Sequence, residues 1–120
     1  MSITCINHVI KNSTYNGNVP HEEGTPIPVS VSGGMSVSRN GEPRVIFVEY
    51  HFVLGEEDNN PILVVDTKTV FNYSTDTELT DDQIKAVCLP EAQKRLHEDV
   101  SRLLKDYGED SIKLPELNYV

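Results

Sequence analysis

The chain is poor in cysteine. Cys5 and Cys88 are its only two, too few for a disulfide framework, and Cys5 falls in an apolar run, so reduced thiols are expected. It is also short of positive charge. Nineteen acidic residues stand against ten basic ones, for a net charge of −9. Such a surface repels phosphate backbones and anionic lipid, which argues against nucleic-acid and membrane-surface roles. It favours basic or flexible cationic partners, although solubility alone accounts for the charge. No apolar run approaches the roughly 20 residues that a membrane span needs. The opening Met1-Ser2-Ile3-Thr4-Cys5 has neither a basic region nor a continuous apolar stretch of the secretory kind. Without secretion, the sequons at Asn12-Ser13-Thr14 and Asn72-Tyr73-Ser74 carry no meaning. A cytoplasmic location is expected.

Motifs of catalysis are missing as well. His8, His21, His51 and His97 stand in separate segments with no HExxH or paired-ligand spacing, and the cysteines form no CxxC. Ser74 and Ser101 lack a GxSxG elbow, and Gly33-Gly34 lacks the lysine of a phosphate-binding loop. The loops His21-Glu22-Glu23 and Glu56-Glu57-Asp58 could hold a metal only weakly and read better as solvated loops. Glu49, His51, Asp66 and Lys68 share one strand parity, so they should meet on one sheet face as an exposed cross-strand charge cluster. No catalytic residue, metal site or cofactor is assigned, and no enzyme activity is expected.

What the chain does have is a clear alternation of apolar and polar residues. At 120 residues it fits one domain, 1–120. Ile27, Val29, Val31, Met35 and Val37 alternate with serine, glycine and Pro28, and after Asn40-Gly41 the run Ile46, Val48, Tyr50, Phe52, Leu54 continues the pattern. Asn-Gly between such runs favours a two-residue hairpin turn. That turn pairs Arg39 with Glu42 and sets Met35 opposite Ile46, Val31 opposite Tyr50 and Val29 opposite Phe52, with all apolar residues on one face. In this register the missing N–H of Pro28 points away from the hairpin, so strand 27–38 should be a sheet edge. Strand 62–73 should follow on the other side of 44–54, with 3–11 beyond it. The stretch from Asn12 to Pro26 then crosses the sheet in a Greek-key manner.

Thr80-Asp81-Asp82-Gln83 reads as a capping box opening a helix, and Pro90 either kinks that helix or begins a new one. From Ala92, the residues Leu96, Val100, Leu103, Leu104 and Tyr107 recur at helical spacing, and Gly108 suits the C-terminal cap. The expected fold is α+β: a four-stranded antiparallel Greek-key-like sheet followed by a helix, 90–107, on the face carrying Val31, Tyr50 and Phe52. The tail from Ile112 to Val120 should pack on this body.

Apolar surface is then in surplus. Strand 44–54 carries Val45, Phe47 and Val53 on the face away from the helix. One helix does not cover both faces of such a sheet, and the remainder would be a peptide groove or a self-association surface.

At this level the chain resembles the SecB family of export chaperones. Ile6-Asn7-His8-Val9-Ile10-Lys11-Asn12-Ser13-Thr14-Tyr15 is similar to the family's first strand and the polar-Ser-x-aromatic step after it. Three antiparallel strands follow, the last with Phe71 near its end. An acidic spacer then leads to a helix with an early proline, Cys88-Leu89-Pro90-Glu91-Ala92, and Leu114-Pro115-Glu116-Leu117-Asn118-Tyr119 is similar to the family's closing motif. Glu91 and Gln93 depart from the aromatic and arginine usual after the helix proline, and the family's second helix has no counterpart before Val120. Coupling to the SecA motor is therefore doubtful, and the chain looks more like a stand-alone SecB-like protein of the kind that guards an antitoxin.

The resemblance implies a homotetramer, a dimer of dimers with central helices, that holds non-native polypeptides without nucleotide. Candidate polypeptide-binding residues are Tyr15, Val45, Phe47 and Val53; candidate interface residues are Leu96, Val100, Leu103 and Tyr107. The competing expectations are a structural or assembly protein that uses the same apolar surface only to oligomerise, and a small-molecule cup or minor hydrolase.

Overall fold

The computed structural model describes residues 3–17, 27–56, 60–74, 76, 78–109 and 112. Four strands come first: β1 (Ile3–Tyr15), β2 (Val29–Ser38), β3 (Arg44–Leu54) and β4 (Leu63–Tyr73). One helix, α1 (Asp81–Asp106), follows. The sheet is antiparallel with the order β1-β4-β3-β2, the Greek-key-like arrangement the sequence suggests.

Alternation in β3 and β4 divides the sheet cleanly. Ile46, Val48, Tyr50, Phe52 and Leu54 of β3, and Leu63, Val65, Phe71 and Tyr73 of β4, are buried on the inner face. There they meet Ile84, Cys88, Ala92, Leu96, Val100 and Leu104 of α1 in one core cluster. The helical period of those six residues is what makes a single stripe of α1 fit the sheet.

Several details depart from the sequence expectation. The first is the hairpin register. Val31 pairs with Phe52, Met35 with Val48 and Val37 with Ile46, two residues off the two-residue-turn register. Pro43, after a cis Glu42–Pro43 bond, brings no N–H to a ladder, so β3 begins only at Arg44. The Arg44 guanidinium stitches the wider loop by donating to the carbonyl oxygens of Arg39 and Gly41. A two-residue slip leaves every side chain on its expected face, which is why the faces are right although the pairs are not.

The second is Pro28. β2 is an edge strand, but the reason given for it fails: the Pro28 carbonyl accepts from Gly55 N–H at 2.8 Å. Since N–H and C=O of a strand residue point the same way, its ring nitrogen faces β3 at the end of the strand. Third, the helix starts at Asp81 rather than at Pro90, which lies inside it. The bond lost to Pro90 would have come to the Ala86 carbonyl, and Ala86 and Pro90 are both exposed, so the loss falls on the wet side of the helix, where it costs least. The Thr80 capping box forms as expected, Thr80 Oγ1 accepting from Gln83 N–H at 3.2 Å and Gln83 Oε1 from Thr80 N–H at 2.9 Å.

β1 runs to Tyr15, further than the expected Lys11, with register shifts between Cys5 and Asn7 and between Ile10 and Asn12. The tail segment 113–120, the loop 18–26 with its His21-Glu22-Glu23, and Glu57-Asp58 lie outside the described residues; Ile112 packs against the core. No helix among the described residues is long and apolar enough to cross a membrane.

Candidate functional site

Among the described residues α1 alone packs across the sheet, on its inner face, where it contacts β1, β3 and β4. The outer face is built of cross-strand rows. Ser36, Phe47, Val70 and Asn7 form one; Gly34, Glu49, Lys68 and Val9 the next; Ser32, His51, Asp66 and Asn12 a third; Ser30, Val53, Val64 and Thr14 a fourth. Apolar rows thus flank a polar band, as the shared parity of Glu49, His51, Asp66 and Lys68 suggests.

The band is internally paired. His51 Nδ1 and Asp66 Oδ1 lie 2.5 Å apart, and Lys11 Nζ donates to Glu49 Oε2 at 3.4 Å. An open trough of about 430 Å³ runs over it, lined by Lys11, Asn12, Glu49, His51 and Asp66 and reaching Ser32 and Gly34 on β2. Lys68 turns aside from the carboxylates: its Nζ sits 4.6 Å from the centroid of the Phe47 ring. That cation–π contact partly roofs Phe47 with a flexible, displaceable side chain. No group of three His, Cys, Asp or Glu among the described residues could hold a metal ion.

The four candidate polypeptide-binding residues are not brought together. Val45 and Phe47 lie on the outer face, half-buried. Val53 shares that face but is fully buried, so it offers no surface to a ligand in this state. Tyr15 is on the other side: it pairs with the inward-facing Leu63, and its ring stacks on Tyr107 with centroids 4.1 Å apart and planes 7° from parallel. Its hydroxyl donates to Glu109 Oε1 at 2.7 Å, and that bond to a carboxylate raises the Tyr15 pKa above the ordinary phenol value. The role of Tyr15 here is to tie the end of β1 to the end of α1.

The helix candidates divide similarly. Leu96 and Val100 are completely covered within the chain's own core, Leu103 is half-buried, and Tyr107 is 42% exposed beyond its stack on Tyr15. Apolar surface that sequence reasoning did not single out lies on β1, where Ile6 is 53% and Val9 39% exposed. Ile6 is the extra residue of the first bulge, and the shift it introduces turns Val9, which strict alternation from Ile3 would place inward, to the outer face.

A buried polar group also escaped the sequence. Asp99, 8% exposed, has Oδ2 2.5 Å from His8 Nε2, and the other ring nitrogen, Nδ1, lies 2.7 Å from Thr69 Oγ1. Hydroxyl, imidazole and carboxylate stand in the order of a nucleophilic triad, but Thr69 is 1% exposed beneath the helix. With no substrate access, the trio fastens α1 to β1 and β4. Its one sequence signal is an acidic residue at helical spacing within the apolar stripe Ala92, Leu96, Leu103, which demands a partner.

A further network closes the hairpin end. Glu78 accepts from Arg44 Nη2 at 2.8 Å and Nε at 3.1 Å, from Arg39 Nη1 at 2.5 Å and from the Tyr73 hydroxyl at 2.6 Å. The Arg44 and then the Tyr73 hydrogen bonds hold the Glu78 carboxyl down at about 2. Arg39 also bonds Asp81 Oδ1 at 2.8 Å, joining the hairpin to the first turn of α1.

Comparison with known proteins places the fold. No family model and no curated protein sequence matches the chain. Among solved structures, the Mycobacterium tuberculosis Rv1957 SecB-like chaperone superposes with a TM-score of 0.62 at 10% identity, over 96% of this chain and 90% of that one. It was solved in complex with a ChAD peptide from the Rv1956 HigA1 antitoxin. A Streptococcus agalactiae protein of unknown function is a weaker match, with a TM-score of 0.44 at 16% identity over 88% of this chain and 92% of that one. The fold of this chain is SecB-like: a four-stranded antiparallel sheet with one C-terminal helix packed on it.

Proposed function

We propose that this protein is an ATP-independent holdase that binds unfolded or non-native polypeptide segments across the outer face of its sheet. The observation that carries the reading is a SecB-like fold over nearly the whole chain in which α1 covers one face only. The other face presents half-buried Val45, Phe47, Val64 and Val70 around a polar trough. A face of this kind takes extended apolar segments at its ends and cationic or polar groups in the middle, released by mass action rather than by nucleotide. The net charge of −9 favours cationic clients. The antitoxin peptide held by the Mycobacterium structure supports antitoxin protection as the biological setting ahead of export, and this reading puts the protein in the cytoplasm.

In this reading the chain works as a homo-oligomer, a tetramer by analogy of fold. Since Leu96 and Val100 are used within the chain, self-association falls to the β1 edge, through Ile6 and Val9, with Leu103 and Tyr107 at the end of α1. Sedimentation at micromolar concentration reads the assembly directly, and Ile6→Asp should shift it toward the monomer.

The deciding experiment is suppression of aggregation of a chemically unfolded, cationic client without nucleotide. Wild-type protein should suppress it at near-stoichiometric ratios, and Phe47→Ser should bind the client at least about five-fold more weakly while remaining folded. Unchanged client affinity in folded Phe47→Ser rejects the outer face as the site. No suppression by wild-type protein rejects the holdase and leaves an assembly protein that uses its apolar surface for oligomerisation alone.

A further inference from the structure

Lys68 of β4 stands directly opposite Glu49 of β3. The Leu54 carbonyl accepts from Ile62 N–H at 2.8 Å. Even-numbered residues of β3 therefore aim their backbone groups at β4, and odd-numbered ones aim theirs at β2. Glu49 and Lys68 are thus a non-hydrogen-bonded pair, the kind whose side chains come closest. Opposite charges at such a place favour an ion pair. The ammonium goes elsewhere. It sits 4.6 Å from the ring centroid of Phe47, a diagonal neighbour whose own partner is Val70. Glu49 is met instead by Lys11 of β1 at 3.4 Å, with both of those side chains about half exposed.

One ammonium therefore has two places within its reach. Over Phe47 it makes a cation–π contact with an aromatic ring that is otherwise only half-buried. Beside Glu49 it would reach a carboxylate whose present partner is distant and wet. At exposed sites both kinds of contact are small and of similar size. A flexible side chain between two such contacts is moved by a modest third contribution. Burial of an apolar group against Phe47 supplies a larger one than either.

We infer that Lys68 is a swinging cover: an aliphatic client side chain settles on Phe47 and sends the ammonium across to Glu49. The inference rests on the holdase reading and specifies which client side chains reach Phe47. Charge decides that the occupant is apolar. A client cation at Phe47 would meet the like charge of Lys68, while the carboxylates of Glu49 and Asp66 stand in the neighbouring trough. Lys68 thus sorts a client, with aliphatic groups going to Phe47 and cationic groups to the trough. In the free protein the same cover keeps an aromatic ring on an open sheet face from meeting other apolar surfaces.

The probe is a labelled, capped, uncharged peptide of leucine and threonine, so that charge changes on the protein do not act by attracting the ligand. In the free protein the Phe47 ring should shift the ε-methylene proton resonances of Lys68 upfield, and saturating peptide should remove that shift. Affinities of four proteins complete the test: wild type, Glu49→Gln, Lys68→Thr and the double variant. Glu49→Gln takes away the place to which the ammonium moves, and should weaken the peptide about two- to five-fold. In the Lys68→Thr background the same change should leave affinity as it was. In the Glu49→Gln background, Lys68→Thr should strengthen binding about two- to five-fold, because the cover is then removed at no loss. A Lys68 that served only as structural support would alter stability and leave this binding cycle additive. An additive cycle, or a ring shift that persists at saturation, overturns the inference. Aggregation suppression without peptide binding by any of the four proteins overturns the cover and leaves the holdase standing. Peptide binding with the expected coupling but without suppression upholds the cover and overturns the holdase.

Discussion

Phe52 and Phe47 sit five residues apart on β3 and face opposite ways. Phe52 is fully buried between the sheet and α1; Phe47 is half-buried on the open side, with the ammonium of Lys68 across its ring. On the inner face, aromatic area removed from water belongs to folding. On the outer face, part of that area is still wet, and burying it remains available to whatever binds there. One strand thus carries stability on one parity and the proposed binding on the other.

The largest expected effect lies on the inner side. Phe52→Ala should destabilise the protein by about 3–5 kcal/mol, as deletion of a fully buried aromatic does, read as a lowered denaturant midpoint with unchanged slope. Phe47→Ser should lower stability by only about 1 kcal/mol, in proportion to the smaller area that is dry in the free protein. Equal losses at the two positions would erase the distinction between the faces and make Phe47 a core residue.

Next comes the polar fastening of the inner face. His8→Ala leaves Asp99 facing the sheet with its Oδ2 unmet, and should cost about 1.5–3 kcal/mol, the range for a buried hydrogen bond to a charged group. Asp99→Asn with His8→Gln should recover part of that loss by setting two amides in place of the imidazole–carboxylate contact. A His8→Ala variant as stable as wild type would mean that the helix is held by its apolar stripe alone.

The contrast between the faces also explains what could be read from the sequence. The faces of β2, β3 and β4 and most of the helical stripe follow from the side-chain period, a local property that survives a two-residue slip; the strand order is as expected but does not follow from that period. The hairpin pairing differs because Pro43 and the Arg44 side chain, which spans the wider loop, override the preference of Asn40-Gly41 for a two-residue turn. The edge position of β2 was right for a reason that does not hold, since the Pro28 ring faces β3. Sequence could not find His8 with Asp99, 91 residues apart, because nothing local couples a strand histidine to a helix carboxylate. Tyr15 was missed for another reason: the strand was expected to end at Lys11, although the two bulges cancel and leave Tyr15 with the inward parity of Ile3. The outer face was legible as surplus apolar residues, but not Val53's burial or the cover of Lys68 over Phe47.

The smallest effect concerns neither face but the hairpin end, and its sign follows from Glu78. That carboxyl is held at about 2 against an ordinary 4.5 by Arg44, Tyr73 and Arg39. A folded-state value below the unfolded one means that the unfolded chain binds a proton more readily. The contribution is therefore fully present above about pH 4.5 and is lost as pH falls through about 2. Glu78→Gln removes that dependence, so the variant's stability should vary less steeply than wild type between those two pH values and lie slightly below it at neutral pH. Glu78 is about half exposed, and solvent screening keeps its contribution small beside those of Phe52 and His8. Denaturant titrations of both proteins at intervals across the acid range measure the slope difference. Parallel curves would show that the arginine cluster ties the hairpin to α1 without favouring the charged carboxylate.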